Sequence, residues 1–266
     1  TNLNLEGNRL CGVDPIRGGT YDATGITALA EALKVNAVLT NLNLARNSIK
    51  DEGAIVIGES LKSNKALTTL DLTRCHIGAS GGAMLAEGLK VNAVLKELNL
   101  RDNSLGSEGS KALAEALKVN VVLKELDLSV NRLRPEGSKA IAEALKVNAV
   151  MTNINLLKNS IGTEAAAQLS EVLQQHKTLK TLCGITPDQT EADFTNHGLQ
   201  PVDGVLLAAD LKVNAVLTNL NLKGNAIEDE GAIAIGEGLK SNKALTTLDL
   251  TGCDIGASGG AMLAEA

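Results

Sequence analysis

Two hydrophobic rhythms alternate along most of this chain. In TNLNL (residues 40–44) apolar and polar residues alternate one for one, the pattern of a short strand with one buried face. In the next segment, EGAIVIGESLKSN (residues 52–64), Ile55, Ile57, Gly58 and Leu61 share one helical stripe, with charges opposite. Asn64 then stands at the predicted helix end, where Asn is expected to close the helix in the left-handed conformation. Asn36, Asn92, Asn120, Asn148, Asn214 and Asn242 are its equivalents, and His176 is the exception.

The same unit recurs at a fixed spacing. Leu39, Leu67, Leu95, Leu123, Met151 and Leu179 follow one another every 28 residues, as do Leu217 and Leu245. Each opens a phrase of the form L-x-x-L-x-L-x-x-N/C-x-L/I, such as LTNLNLARNSI at residue 39 and LKELDLSVNRL at residue 123. LKVNAVL, found at residues 33–39, 89–95 and 211–217, joins each helix end to the next strand. A fixed period in this range predicts stacked units rather than one globular core. These phrases, with GSEGSKALAEALKVN at residues 106–120, resemble the leucine-rich repeat family of the ribonuclease-inhibitor-like subtype. The resemblance implies an α/β solenoid, a curved horseshoe with parallel strands on its concave face and helices on its convex face. It also implies a ladder in which the buried amides of Asn47, Asn103, Asn131, Asn159 and Asn225 bond neighbouring backbone groups. Cys75 and Cys253 take the same position as small, mostly apolar thiols.

A length of 266 residues alone suggests about two ordinary domains. The repeats predict instead one solenoid over residues 1–266. Because the chain starts inside a strand and stops inside a helix, it reads as a fragment of a longer one. The rhythm breaks near residues 11–25 and 183–198, where Gly and Pro signal loops. Counting back 28 from Leu44 and Leu222 lands on Ile16 and Phe194, so each break is expected to hold a degenerate strand whose predecessor lacks its helix. Tyr21 and Leu199 then take the last apolar position of each degenerate phrase. Residues 38–88 and 216–266 align without gaps and differ at nine positions, mostly at strand exits, loops and exposed helix sites.

Composition narrows the function. With one Tyr, one Phe and no Trp, aliphatic residues must fill the core, and interface anchors are scarce. Tyr21 is read as a core filler rather than a partner contact. The net charge of −6, without a basic stripe or stacking aromatics, argues against nucleic acid. No apolar run is long enough to insert in a membrane. Cys11, Cys75, Cys183 and Cys253 form no C-x-x-C pair, which predicts reduced thiols in an intracellular, cytoplasmic protein. His76, His176 and His197 fall on different units, and no catalytic constellation or metal cluster has coherent spacing. GASGGAM at residues 78–84 is read as loose helix packing rather than a phosphate loop. No enzyme activity and no cofactor are expected.

The resemblance places the x residues of each strand phrase on the concave floor. Most are Asn, Thr or Asp, but the middle of the chain is charged. Asp71, Arg74, Lys96, Glu97, Arg101, Asp102, Lys124, Glu125 and Asp127 are the candidate partner-binding patch. The competing interpretation is a solvated face whose charges pair across units, each pair contributing about 0–1 kcal/mol. The leading expectation is a non-enzymatic protein-interaction scaffold acting through the concave face or the loop edge. One alternative is a structural subunit packed laterally in a large complex, marked by an exposed apolar stripe on the helix side. The resemblance adds two more: a sensor arm of an immune-type nucleotide-binding receptor, and a GTPase-activating regulator of the Ran type.

Overall fold

A three-residue strand cannot hold a sheet by itself. In this chain each is followed by a helix that covers one face, and each coil leans on the next. The computed structural model describes residues 1–12 and 18–266, and its contacts fall into two units, Thr1–Met151 and Thr152–Ala266. The first unit runs β1 (Asn2–Asn4), α1 (Thr24–Val35), β2 (Asn41–Asn43), α2 (Lys50–Leu61), β3 (Thr69–Asp71), α3 (Ala79–Val91), β4 (Glu97–Asn99), α4 (Gly106–Val119), β5 (Glu125–Asp127) and α5 (Arg134–Val147). Strands β1 to β5 pair in parallel, in chain order, with Leu3, Leu42, Leu70, Leu98 and Leu126 in one register row. The second unit runs β6 (Asn153–Asn155), α6 (Thr163–Gln175), β7 (Glu191–Asp193), α7 (Pro201–Val213), β8 (Asn219–Asn221), α8 (Glu228–Leu239), β9 (Thr247–Asp249) and α9 (Ala257–Ala264). Strands β7 to β9 pair in parallel. The expected α/β leucine-rich repeat coils are therefore present in both units.

The core is a column of identical layers. In the β3–α3 coil, Leu67, Leu70, Leu72, Ile77, Leu85 and Leu89 are all fully buried. On α2 the predicted stripe is broadly right: Ile57, Gly58 and Leu61 are buried, but Ile55 is only half-buried and Ala54 takes its place. Gly58 lies so near α3 that a Cβ there would meet the Met84 carbonyl oxygen at 2.5 Å.

The recurring asparagine works differently from the sequence expectation. Asn36, Asn92, Asn120, Asn148 and Asn214 are extended, with φ between −84° and −71°, and α2 ends before Asn64 is reached. The side chain explains the recurrence. Asn120 Oδ1 accepts from the N–H groups of Val122 (2.9 Å) and Leu123 (2.7 Å), shaping the turn into β5. Its Nδ2 donates to the carbonyls of Leu89 (2.7 Å) and Asn92 (3.3 Å) in the preceding coil. Asn64, Asn92, Asn148 and Asn242 repeat the inter-coil bonds. His176 keeps half of the role, its Nδ1 accepting the Leu179 N–H at 2.9 Å.

The ladder implied at the strand exits is also present. Asn103 Nδ2 donates to the carbonyls of Leu72 (2.9 Å) and Leu100 (2.8 Å), and its Oδ1 accepts from Cys75 and Ile77. Where Cys75 replaces Asn, its thiol donates to the Leu44 carbonyl at 3.2 Å, and Cys253 does the same to Leu222 at 3.1 Å. Three residues past β2, β3 and β4 the backbone turns left-handed, and the N–H there reaches the next coil's carbonyl. Arg46 donates to Thr73 (2.8 Å), Arg74 to Arg101 (3.0 Å) and Asp102 to Ser129 (2.9 Å). Gly7, Gly224 and Gly252 fill this position at ease, whereas a side chain there costs about 1–2 kcal/mol.

Residues 183–198 contain no helix. Strand β7 is the degenerate strand expected before Phe194, and before it residues 181–183 make only isolated bridges to Asn153 and Asn155. The strand expected around Ile16 lies outside the described residues. What fills the second break was not foreseen. Asp210, from α7, is fully enclosed and accepts bonds from Leu182 N–H (2.7 Å), Cys183 N–H (3.2 Å) and the Thr181 hydroxyl. Asp203 accepts the Lys158 N–H at 2.8 Å, the group that in other coils would meet the next coil's carbonyl. The two carboxylates thus stand in for a missing layer of backbone acceptors. Burial pushes the Asp210 carboxyl up to about 6 and raises that of Asp203.

Two outcomes are expected. Asn120→Ala strands buried donors and should lower unfolding free energy by about 2–4 kcal/mol in urea titrations. Asn120→Gly should cost a similar amount, whereas a left-handed cap would accept glycine at little cost. For Asp210 the folded value exceeds the unfolded one, so its contribution is greatest near pH 4 and declines as pH rises through about 6. Wild-type stability minus that of Asp210→Asn should fall over this window, and Asp210→Ala should lose about 3 kcal/mol. A flat difference between wild type and Asp210→Asn would show that this carboxylate does not titrate there.

Candidate functional site

The nine candidate residues lie in the first unit, on β3 to β5 and in the segments that enter and leave them, Lys96 and Lys124 standing just before β4 and β5. Asp71, Asn99 and Asp127 occupy one register row, and Thr69, Glu97 and Glu125 the next. Neighbouring strands are roughly 4.8 Å apart, so these rows form one continuous surface. Lys96, Glu97, Lys124 and Glu125 are exposed, whereas Asp71, Arg101, Asp102 and Asp127 are half-buried.

The hydrogen bonds divide this surface into structural and unspent groups. Asp71 Oδ1 accepts the Thr73 N–H (2.8 Å) and Asp127 Oδ1 the Ser129 N–H (2.7 Å), each closing a strand-exit turn. Asn4, Asn43, Asn99, Asp193, Asn221 and Asp249 do the same, so the Asn/Asp preference on this row is first a turn requirement. The other oxygen of Asp71 accepts from Asn99 Nδ2 on the next strand at 3.5 Å. The Thr hydroxyls of the first row bond back to the preceding coil, as Thr68 does to the Thr40 carbonyl at 3.1 Å. Lys96 and Lys124 replace that hydroxyl with a cation that reaches outward. Arg74 Nε meets Asp102 Oδ2 at 2.7 Å, one of the cross-coil pairs that the solvated-face interpretation anticipates.

Glu97 and Glu125 are the exception to cross-coil pairing. They face each other on adjacent strands, an arrangement of like charges that destabilises a sheet. Thr69 donates to Glu97 at 3.2 Å. Burial, and then the charge of Glu97, push the Glu125 carboxyl above its ordinary range.

Elsewhere the structure assigns structural roles. The α3 N-terminus that begins in GASGGAM is occupied by Asp51, whose carboxylate accepts from Gly78 N–H (2.6 Å), Gly81 N–H (3.1 Å) and the Ser80 hydroxyl (2.6 Å). A Cβ at Gly81 would meet Asp51 Oδ1 at 2.7 Å and Ala54 Cβ at 2.8 Å, so the helices pack closely here rather than loosely as the sequence suggested. Tyr21 is half-buried, donates to the Ile49 carbonyl at 2.7 Å and carries the Lys50 ammonium over its ring. All four cysteines are free and buried, and burial pushes the Cys75 thiol up to about 12. Among the described residues no His, Cys, Asp or Glu cluster could hold a metal, and no helix is long and apolar enough to cross a membrane.

Comparison with known proteins agrees with this architecture. The Leucine Rich repeat family matches residues 35–58, 63–86, 91–114, 119–142, 213–236 and 241–264, together more than half of the chain. No curated protein sequence matches. Among solved structures, the tropomodulin C-terminal domain of Caenorhabditis elegans is 19% identical with a TM-score of 0.50, over 57% of this chain and 93% of that one. The leucine-rich repeat-containing protein LegL7 of Legionella pneumophila is 14% identical with a TM-score of 0.41, over 93% of this chain and 89% of its own. Leiomodin-1 actin-binding site 2 is 20% identical with a TM-score of 0.40, over 66% and 79%. Identities this low speak to fold alone. The repeat phrase, the stacked strand–helix coils and the family match agree, and this chain belongs to the leucine-rich repeat family.

Proposed function

We propose that the chain is a non-enzymatic scaffold that engages a protein through the strand face of β3–β5 and the adjoining exit turns. The observation that carries this reading is the Glu97–Glu125 pair. It sets two carboxylates side by side, flanked by Lys96 and Lys124, on a face whose other rows are occupied with turn chemistry. A partner cation seated between the two glutamates would relieve their repulsion, so the arrangement favours a bound state over the free one. Asp71, Arg74, Arg101, Asp102 and Asp127 border that position. The buried, free thiols support an intracellular, cytoplasmic setting.

A second reading has its own observation. Val91, Val119 and Val147 end successive helices and are 56–64% exposed, with Val35 at 84%. Such a row suits lateral packing in a larger complex.

Cross-linking and mass spectrometry of the intact protein in native extract separates the two. Links from Lys96 and Lys124 to one partner are expected. Glu97→Gln combined with Glu125→Gln should weaken that complex roughly tenfold while leaving thermal stability equal or higher. Links mainly from Lys62, Lys90 and Lys240 to many subunits of one complex would replace the strand-face reading with lateral packing.

A further inference from the structure

The chain contains its own comparison. Residues 38–88 and 216–266 differ at nine positions; five of these, 45, 46, 48, 74 and 76 in the first unit, lie on the strand-exit loops, and a sixth, 50, opens α2. At four of the six the backbone is left-handed in both copies. The φ angles are 58° at Arg46 and 71° at Gly224, 55° at Arg74 and 66° at Gly252. They are 57° at Lys50 and 53° at Glu228, 59° at His76 and 54° at Asp254. The neighbouring cap is also unchanged, since Asp229 accepts the Gly256 N–H at 2.7 Å as Asp51 accepts that of Gly78 at 2.6 Å. What changes is charge. Arg46, Lys50, Arg74 and His76 become Gly224, Glu228, Gly252 and Asp254, and only Ala45 to Lys223 runs the other way.

We propose that the strand-exit edge of the first unit is a docking strip for an Asp- and Glu-bearing segment of a protein partner, and that the edge of the second unit is not. The proposal rests on the scaffold reading above and names the chemistry of its loop edge. Three observations carry it. Arg46 and Arg74 stand in left-handed backbone, where glycine is at ease, and the second copy shows that glycine serves the fold there. The arginines are thus retained against a backbone preference. Both already hold carboxylates in the open: Arg74 Nε meets Asp102 at 2.7 Å and Arg46 Nη1 meets Glu6 at 3.6 Å, with the arginine side chains 52% and 58% exposed. A partner carboxylate can take over either guanidinium from solvent, in the paired geometry that arginine favours. The adjacent Glu6, Asp71 and Asp102 oppose a dense polyphosphate, so discrete carboxylates on a polypeptide are the better fit.

The test is fluorescence anisotropy of a fluorescein-labelled oligo-glutamate peptide titrated with the full chain at low and high salt. Binding that weakens with salt is expected. The double variant Arg46→Gly, Arg74→Gly carries the second copy's own residues, so its melting temperature should hold or rise while affinity falls about tenfold. Gly252→Arg with Glu228→Lys should in turn strengthen binding. Unchanged affinity in the double glycine variant, or tighter binding of oligodeoxythymidylate than of the peptide, would overturn the strip. If the peptide fails to bind while Lys96 and Lys124 still cross-link a partner, the strip is wrong and the scaffold reading stands. If the peptide binds through Arg46 and Arg74 but no partner reaches Lys96 or Lys124, the strip stands and the strand-face reading fails.

Discussion

Each coil of this protein depends on handing its backbone hydrogen bonds to the next. A three-residue strand satisfies few of its own backbone groups, and the turns at either end rely on side chains and on neighbouring coils for theirs. The parallel register answers for the strand. Two asparagine columns answer for the turns, one where the strand exits, through Asn103 and its equivalents, and one where the helix exits, through Asn120 and its equivalents. An amide suits both positions because it donates and accepts at once. Asn120 binds its own turn through Oδ1 and the preceding coil through Nδ2, whereas Asn103 Nδ2 donates to both and its Oδ1 accepts from the preceding coil. The left-handed residues at Arg46, Arg74 and Asp102 follow from the same requirement, since only that conformation turns the N–H toward the neighbouring carbonyl.

The second break shows what happens when the next layer is absent. The orphaned N–H groups of Lys158, Leu182 and Cys183 turn to Asp203 and Asp210. An acidic side chain can imitate a run of carbonyls because it accepts without needing to donate. The cost is a buried charge, visible in the raised carboxyl values of both residues. Stability in this part of the chain is therefore tied to protonation in a way that the regular coils, held by neutral amides, are not.

The repeat unit was legible in the sequence because period, strand alternation and helical stripe all pointed one way. So were the strand-exit ladder, through the resemblance, and the degenerate strand before Phe194. The helix-exit asparagine was found but given the wrong reason. A residue that tolerates left-handed backbone and a residue that bridges two coils leave the same letter at the same place. The bridging roles of Asp203 and Asp210 left no signal, because Lys158, Leu182 and Cys183 are 27 or more residues away from them and the pairings belong to no repeating phrase. The nine candidate residues fall on the three neighbouring coils that carry β3, β4 and β5. Charge pattern alone did not reveal that Asp71 and Asp127 spend an oxygen on turns, or that Glu97 faces Glu125.

These constraints also indicate where function can reside. Any position that fills a layer, closes a turn or bridges two coils is already committed, and the duplicated blocks agree at nearly all of them. Freedom remains on the outward atoms of the strand rows and on the side chains of the left-handed exit residues. There the backbone fixes where a group will stand without dictating what it must be. The two copies diverge most in that second set, and at Arg46, Lys50, Arg74 and His76 they diverge in charge while keeping a left-handed φ. A solenoid of this kind separates the work of folding from the work of recognition more cleanly than a globular core does. Within it, a departure from the bland residue, such as arginine where glycine serves or glutamate opposite glutamate, is the most direct trace that recognition leaves.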